Sequence, residues 1–316
     1  MNPLLLHLII YVACFFFVWY GAGIILKSVH RLADKLHLPA FTLSFFLLGI
    51  LTSLPEIAIA SSSVINDMPS IFVGNLLGGV IIMFLGVIPL MGVLGGGVNI
   101  PKQLDQKHLL ATLIVVLAPA FLILDKELSL WEAWLLIFLY GLLFLFFSFK
   151  QTLAEKIHTK IKKKREFRLH DFFKIIVGVV LLVFASNQII KSTLFFADLW
   201  SISPFFVSLV VVSVGTNIPE ISLVFRSIMH RKKDIALADY LGSASANTLL
   251  FGVFTLIYGK PISLPNPSMQ RFIFLTVGLV LFFFFSKSKN RLSWKECFVL
   301  LCGYCMFIWL ELRVVT

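Results

Sequence analysis

The chain has 316 residues, of which 59% are hydrophobic and only 14% are charged, and its mean hydropathy is +0.96. These values lie far outside the range of soluble globular proteins and predict an all-α membrane protein that crosses the bilayer several times. The formal net charge of +11 would suit a nucleic-acid partner in a soluble chain, but here it has to be assigned to loops first.

Runs of about 20 apolar residues, the length that crosses a bilayer as a helix, predict the spanning segments. Leu4 begins the first run without a preceding Lys or Arg, and no A-x-A cleavage pattern follows it, so we interpret it as a span rather than a removed signal peptide. The ten predicted segments are 3–26, 41–65, 70–94, 108–124, 129–149, 172–194, 204–229, 235–258, 270–286 and 294–313.

The basic residues fall unevenly on the two sides of this predicted topology. With ten spans, one side receives 22 of the 27 Lys and Arg residues and the other receives 5. The positive-inside rule then places the basic loops in the cytoplasm and both termini outside, in a protein of the cell (inner) membrane. The run KIKKKREFR near residues 160–168 either sets topology or binds anionic lipid. We therefore expect no nucleic-acid partner, and the lipid bilayer is the surrounding medium.

An acid recurs inside two apolar runs of similar sequence. GILTSLPE at 49–56 matches SVGTNIPE at 213–220, 164 positions later, so that Glu56 corresponds to Glu220. An ionisable group at membrane depth costs several kcal/mol, roughly 2.5–3.5 for an aspartate at a helix centre, and usually marks a functional site. Each half holds five spans, and an odd number inverts the second half, as in many secondary transporters. We predict repeats at 1–149 and 172–316, joined by a basic cytoplasmic linker at 150–171.

A proline precedes each glutamate and should break its helix, because proline lacks an N–H and clashes with the carbonyl four residues earlier. The breaks are predicted near residues 51–52 and 215–216, where the carbonyls of Thr52 and Thr216 become available as ligands. Two bidentate glutamates and two carbonyls would supply six oxygens, and Ca²⁺ takes 6–8. The alternative is that each glutamate pairs with a basic side chain or a backbone donor.

The spans after the two motifs differ in their polar residues. Asp239, Ser243 and Asn247 are spaced by four and form one stripe on a helix face, whereas the matching positions are Asn75, Gly79 and Met83. The difference predicts an asymmetric site, to which the second half contributes more polar side chains than the first half. For Asp239 the alternative is a structural acid that bonds helix backbone near the membrane boundary.

At these residues the chain resembles the sodium/calcium exchanger membrane family of the cation/calcium antiporter superfamily, whose repeats carry a G-T-S-L-P-E motif and a following G-N-x-x-G-S-N helix. The resemblance implies ten helices, with Glu56 and Glu220 as central ligands shared by calcium and sodium, beside the carbonyls of Thr52 and Thr216. It further implies flanking monovalent-ion positions. These would be built by Ser53, Asn217, Ser243 and Asn247, with the backbone near Gly49 and Ser213.

Several residues depart from the family pattern. Leu51 and Asn217 replace a glycine and a serine of the motif, Gly79 and Met83 stand where ligands are expected, and Asp239 replaces an asparagine. We expect an antiporter that exchanges calcium for sodium by alternating access, one half rocking against the other. The alternatives are a calcium/proton antiporter and a passive cation channel. No HExxH or GxSxG motif points to an enzyme, and we expect no cofactor and no obligatory protein partner.

Overall fold

The structure is a computed structural model that describes residues 3–33, 45–46, 49–101, 104–151, 169–231, 233–264, 269–287 and 290–315. Most of the predicted linker at 150–171 lies outside these residues. Nearly all of the described chain is helical. The helices are α1 (Pro3–Ala33), α2 (Leu54–Ile65), α3 (Pro69–Ile82), α4 (Ile88–Leu94), α5 (Gln106–Leu122), α6 (Leu130–Gln151), α7 (Leu169–Leu199), α8 (Pro204–Val207), α9 (Ser213–Thr216), α10 (Ile218–Met229), α11 (Lys233–Tyr258), α12 (Met269–Lys287) and α13 (Trp294–Val315).

Within the described residues, eight helical stretches are long and apolar enough to cross a membrane. The predicted class, an all-helical polytopic membrane protein, is confirmed, but the count of ten is not. The predicted segments 41–65 and 294–313 are missing from the eight. Residues 41–44 and 47–48 lie outside the description, so only α2 represents the first of these. Helix α13 carries charges near both ends, among them Glu296 and Glu311.

The 164-residue repeat is visible in the structure as well as in the sequence. Helix α2 maps residue for residue onto α10, and α6 maps onto α13. The left-handed backbone positions recur too: Asp67 (φ 56°) corresponds to Arg231 (φ 54°), and Lys126 (φ 77°) corresponds to Asn290 (φ 49°). Such φ values are uncommon outside glycine. Their repetition indicates that the two halves share one backbone plan.

Two short antiparallel ribbons connect the halves. Strand β1 (Val98–Asn99) pairs with β4 (Arg291–Leu292), and β2 (Glu127–Leu128) pairs with β3 (Ile262–Ser263). The offset of 164 converts one ribbon into the other. Each is extended by a matching 2.9 Å backbone hydrogen bond, from the amide of Ile100 to the carbonyl of Asn290 and from that of Leu264 to that of Lys126.

The buried apolar side chains form two separate clusters. The larger one fills the space among α3 to α6 and α11 to α13, whereas the smaller one lies between α1 and α7 and reaches α2 and the segment 208–212. Tyr11 and Phe15 of α1 meet Leu182 and Ile189 of α7 in the smaller cluster. The pair of 31-residue helices therefore forms a body of its own beside the main core.

An ion pair is buried between α12 and α13. The guanidinium of Arg271 donates two hydrogen bonds of 2.8 Å, from Nε and Nη2, to the two carboxylate oxygens of Glu311. The side chain of Glu311 is only 1% exposed. Such a bidentate pair satisfies both groups, but a buried charge whose partner is removed destabilises a protein strongly, by about 3–5 kcal/mol.

We predict that Glu311→Gln lowers the thermal stability of the detergent-solubilised protein, because the substitution removes the buried negative charge that pairs with the guanidinium of Arg271. The loss is expected to approach about 3 kcal/mol and is measured as a shift of the unfolding midpoint. Glu127→Gln, at an exposed ribbon position, is the matched control and should leave the midpoint unchanged. Equal midpoints for the two variants would contradict a stabilising role of the ion pair.

Candidate functional site

The helix that carries each glutamate is interrupted by a single non-helical residue. Ser53 (φ −79°, ψ 14°) precedes α2, and Asn217 (φ −89°, ψ 11°) separates α9 from α10. Helical i to i−4 hydrogen bonds continue on both sides, from the amide of Ser53 to the carbonyl of Gly49 and from that of Asn217 to that of Ser213. The predicted breaks are therefore present, one residue later than expected, and each is a kink rather than an unwound segment.

Each kink places a glutamate in the first turn of the next helix. Glu56 and Glu220 are the third residues of α2 and α10, directly after Pro55 and Pro219. The N-terminal end of a helix carries partial positive charge, so it favours an anionic side chain there. The kink thus explains how a carboxylate can be held inside an apolar protein.

Both glutamates are buried and incompletely satisfied. Each side chain is only 3% exposed, and the Oε2 atoms of Glu56 and Glu220 have no hydrogen-bond partner among the described residues. An unpartnered buried carboxylate oxygen is costly. The arrangement is suited to receiving a cation.

Helices α3 and α11 pass very close to the two kinks. A methyl group added to Gly78 would lie 2.0 Å from the carbonyl oxygen of Leu209, and one added to Gly242 would lie 2.4 Å from that of Phe45. These contacts are matched, since position 45 corresponds to position 209. Only glycine permits this approach. It brings the stripe on α11 beside the first kink and the equivalent face of α3 beside the second.

Hydroxyl oxygens line the first kink. The Ser53 Oγ atom lies 3.1 Å from that of Ser243 and donates at 2.8 Å to the carbonyl of Gly49. Thr52 also donates to that carbonyl, at 3.2 Å. The predicted ligands Thr52, Ser53 and Ser243 are therefore neighbours in space, although 190 positions separate the two serines.

Amide groups line the second kink. Asn217 Nδ2 donates at 2.8 Å to the carbonyl of Ser213, and Asn247 Nδ2 faces the carbonyl of Leu76 at 3.4 Å. The Thr216 hydroxyl donates at 3.1 Å to Asn75 Oδ1. Asn247 Oδ1 has no partner among the described residues and is a possible oxygen ligand.

Asp239 completes the set of buried acids. Its side chain is 6% exposed, and its Oδ1 atom has no hydrogen-bond partner in the described part of the chain. The alternative role, a structural acid that bonds helix backbone, would therefore have to use the other carboxylate oxygen. Even so, no three His, Cys, Asp or Glu side chains of the described residues are grouped closely enough to hold a metal by themselves. Hydroxyl, amide and carbonyl oxygens would have to contribute.

A cavity of about 500 Å³ reaches the site from one side. Its walls include Trp19 of α1, Thr52, Glu220 and Asp239, and the exposed Arg226 lies along it. On another side, the ring of Phe15 packs onto the backbone of Gly215, where an added methyl group would lie 2.2 Å from the ring. Helix α1 thus packs onto the segment before the second kink and also forms part of the cavity wall.

Three residues that border the candidate site were not predicted from the sequence. In the sequence, Phe15 is an ordinary aromatic of an apolar run, Arg226 is one of several basic residues near the end of predicted segment 204–229, and Tyr240 lies among small residues. Tyr240 is fully buried and donates a 2.9 Å hydrogen bond to the carbonyl of Glu220. A polar tip on a buried aromatic usually has such a partner, so its position three residues before Ser243 was the available signal.

A known protein family matches most of the chain. The sequence model of the family described as "Sodium/calcium exchanger protein" matches residues 6–149 and 170–313. The chain belongs to the sodium/calcium exchanger family. It is an integral, multi-pass membrane protein, and its family consists of exchangers, which are transporters rather than enzymes. The resemblance seen in the glutamate motifs is thereby confirmed.

Two curated relatives share modest sequence identity with this chain. Sodium/calcium exchanger MaX1 of Methanosarcina acetivorans is 25% identical over 334 residues, which cover 92% of this chain and 94% of that protein. Inner membrane protein YrbG of Escherichia coli is 28% identical over 98 residues, covering 31% of this chain and 30% of YrbG. The MaX1 alignment therefore extends the likeness along nearly the whole chain.

Two solved structures share the fold. The sodium-calcium exchanger NCX_Mj has a TM-score of 0.66 at 19% identity, with 98% of both chains covered. The H+/Ca2+ exchanger CAX has a TM-score of 0.77 at 13% identity, with 100% of this chain and 85% of that chain covered. The fold is thus one shared by calcium antiporters with different coupling ions. The coupling ion has to be inferred from side chains.

The glycine contacts lead to a stability prediction. Gly78→Ala should destabilise the protein by more than about 1–3 kcal/mol, the usual cost of overpacking, because the backbone oxygen it meets cannot rotate away. Gly141→Ala and Gly303→Ala lie in helices with open space around the glycine. They should be neutral or stabilise by roughly 0.5–1 kcal/mol. Unfolding midpoints in detergent test this, and equal effects at the three positions would contradict the close approach.

Proposed function

We propose that this exchanger moves calcium across the membrane in exchange for sodium by alternating access. The observation that carries the proposal is the matched pair of buried glutamates, Glu56 and Glu220, each at a helix kink and each with an unpartnered carboxylate oxygen. The family membership supports antiport of calcium with a cation in general. The choice of sodium rests on the site chemistry.

The donors around the glutamates suit a hard cation. Carboxylates, hydroxyls and carbonyls converge there, and calcium prefers 6–8 such oxygens at about 2.3–2.6 Å. We propose Glu56 and Glu220 as central ligands with the carbonyls of Thr52 and Thr216. Sodium would compete for the same oxygens and for those of Ser53 and Ser243, whose hydroxyls lie side by side. Asp239 and the unpartnered Asn247 Oδ1 are further candidate ligands, whereas the Asn217 amide is engaged through Nδ2 with the carbonyl of Ser213.

The two sides of the site favour alternating access over a channel. A cavity leads to Glu220, which follows the second kink, while Phe15 packs onto Gly215, which precedes the same kink. The predicted topology places Arg226, and therefore the cavity mouth, toward the cytoplasm, with both termini on the opposite side of the cell membrane. A pore would need a continuous path on both sides.

Proton coupling is the second candidate, and Asp239 is the observation that favours it. This third buried acid stands where the first half has Asn75, and it lines the cavity beside Glu220. Neighbouring carboxylates titrate as a coupled set, so one of them can carry a proton. The fold is also shared with the H+/Ca2+ exchanger CAX.

The two functions are separated by calcium flux into proteoliposomes. We expect a sodium gradient at constant pH to drive calcium uptake, and a proton gradient without sodium to drive little. Equal uptake with the proton gradient alone would replace sodium by protons as the coupling ion. Calcium leak without any counter-ion gradient, at the same rate, would instead indicate a channel.

Glu56→Gln and Glu220→Gln are each expected to abolish calcium exchange, because the neutral amide removes the charge that compensates the divalent ion. The loss should exceed about a hundredfold in initial rate, equivalent to about 3 kcal/mol of ion binding. The unfolding midpoint without calcium should stay the same or rise, because a buried charge is removed. Retained exchange in either variant would exclude that glutamate from the central site.

Asp239→Asn recreates the residue of the matching position and should be milder. We expect calcium exchange to persist, with a calcium affinity lowered about tenfold or less, equivalent to about 1.4 kcal/mol. The variant is measured beside Glu220→Gln in the same flux assay. A complete loss of exchange would promote Asp239 to a central ligand, whereas no change would assign it a structural role.

A further inference from the structure

Two matched positions flank the glutamates, and their chemistry differs. At the first, Ser53 faces Ser243 with their hydroxyl oxygens 3.1 Å apart. The offset of 164 carries this pair onto Asn217 and Gly79. A small hydroxyl pair in one half is therefore replaced in the other by a larger amide opposite a residue without a side chain. This replacement keeps the space between the two helices about equally filled but changes the polar groups that face it.

The space beside Gly79 is faced only by nitrogen. A methyl group placed on Gly79 would lie 3.2 Å from Asn247 Nδ2 and 3.4 Å from Asn217 Nδ2. Apart from the neighbouring backbone of its own helix, no other atom of the described residues comes within 4 Å of that point. The amide oxygens are turned away from it.

The hydrogen bonds fix this orientation. Asn217 Nδ2 donates to the carbonyl of Ser213 and Asn247 Nδ2 faces the carbonyl of Leu76. A backbone carbonyl can only accept a hydrogen bond, so an amide that faces one must present its nitrogen. Exchanging the nitrogen and oxygen of Asn217 would place two acceptors 2.8 Å apart.

A hydroxyl and an amide nitrogen respond differently to a cation. The Ser53 hydroxyl donates its single proton to the carbonyl of Gly49, yet its oxygen keeps lone pairs that a cation can use. An amide nitrogen has no available lone pair, and its N–H groups carry partial positive charge. A cation would therefore be attracted to the first flank and repelled from the second.

We propose that Asn217 and Gly79 close the second flank to cations, so that monovalent coupling ions bind only beside Ser53 and Ser243. Each calcium ion then exchanges for one monovalent ion fewer than a site with two open flanks would take. Asn217 is a stoichiometry-determining residue in this arrangement. The inference rests on the proposed antiport function and specifies its coupling.

The test is a substitution that opens the closed flank. The double variant N217S/G79S recreates the serine pair of the first flank, whereas Gly79→Ser alone crowds the two amides. In proteoliposomes with the membrane potential held near zero, a tenfold gradient of the coupling ion is imposed and the calcium ratio at zero net flux is measured. Each additional coupled ion should raise that ratio about tenfold.

We expect Gly79→Ser alone to impair exchange and the double variant to restore it with a calcium ratio about tenfold above that of the unmodified protein. The reciprocal double variant S53N/S243G, which transfers the amide arrangement to the first flank, should lower the ratio about tenfold. As a readout independent of transport, the Hill coefficient for displacement of bound calcium by the coupling ion should rise by about one in N217S/G79S.

Unchanged calcium ratios and Hill coefficients in both double variants would overturn the closed flank while leaving antiport intact. Absence of any gradient-driven calcium flux in the unmodified protein would overturn the antiport function itself. The two failures are therefore distinguishable, because the second appears before any residue is changed.

Discussion

The structure is organised around the burial of two carboxylates inside an apolar protein. A charge in such surroundings is tolerated only when the protein supplies compensation, and here the compensation is built from backbone. A kink at Ser53 or Asn217 gives each glutamate a helix N-terminus. Glycines at 78 and 242 allow a second helix to pass within contact of each kinked segment. Without the kinks the acids would lose the helix N-termini beside them, and without the glycines the neighbouring helices could not approach them.

The backbone features of the two halves are repeated, whereas the polar side chains that would select the ions are not. Helices, left-handed residues and ribbons recur at one offset, whereas the polar residues around the glutamates do not. Asp239 faces the site where Asn75 stands in the other half, and Asn217 replaces Ser53. The packing contacts that hold the backbone are matched because they are steric. The proposed ligand positions are free to differ because each would contribute only one group to a shared ion shell.

Much of the site was predictable because its signals are local. An acid after a proline within an apolar run identifies Glu56 and Glu220, and the spacing of four identifies the stripe at Asp239, Ser243 and Asn247. The contact between Ser53 and Ser243 was not predictable, since it depends on how two helices cross. The direction of the Asn217 amide depends on a carbonyl that only the folded chain presents. The structure does not test the predicted count of ten spans fully, because residues 41–44 and 47–48 lie outside the described part of the chain and α13 carries charged residues near both ends.

The two ribbons have a mechanical meaning. Backbone hydrogen bonds such as those at Ile100 and Leu264 tie each half to the other at two places related by the repeat. Rocking one half against the other as a rigid body would strain both ties at once. Helices α1 and α7 take part in neither ribbon and pack through their own apolar cluster. The ribbons therefore constrain the two halves relative to each other, whereas the α1–α7 pair is held to the rest of the protein by side-chain packing rather than by these backbone ties.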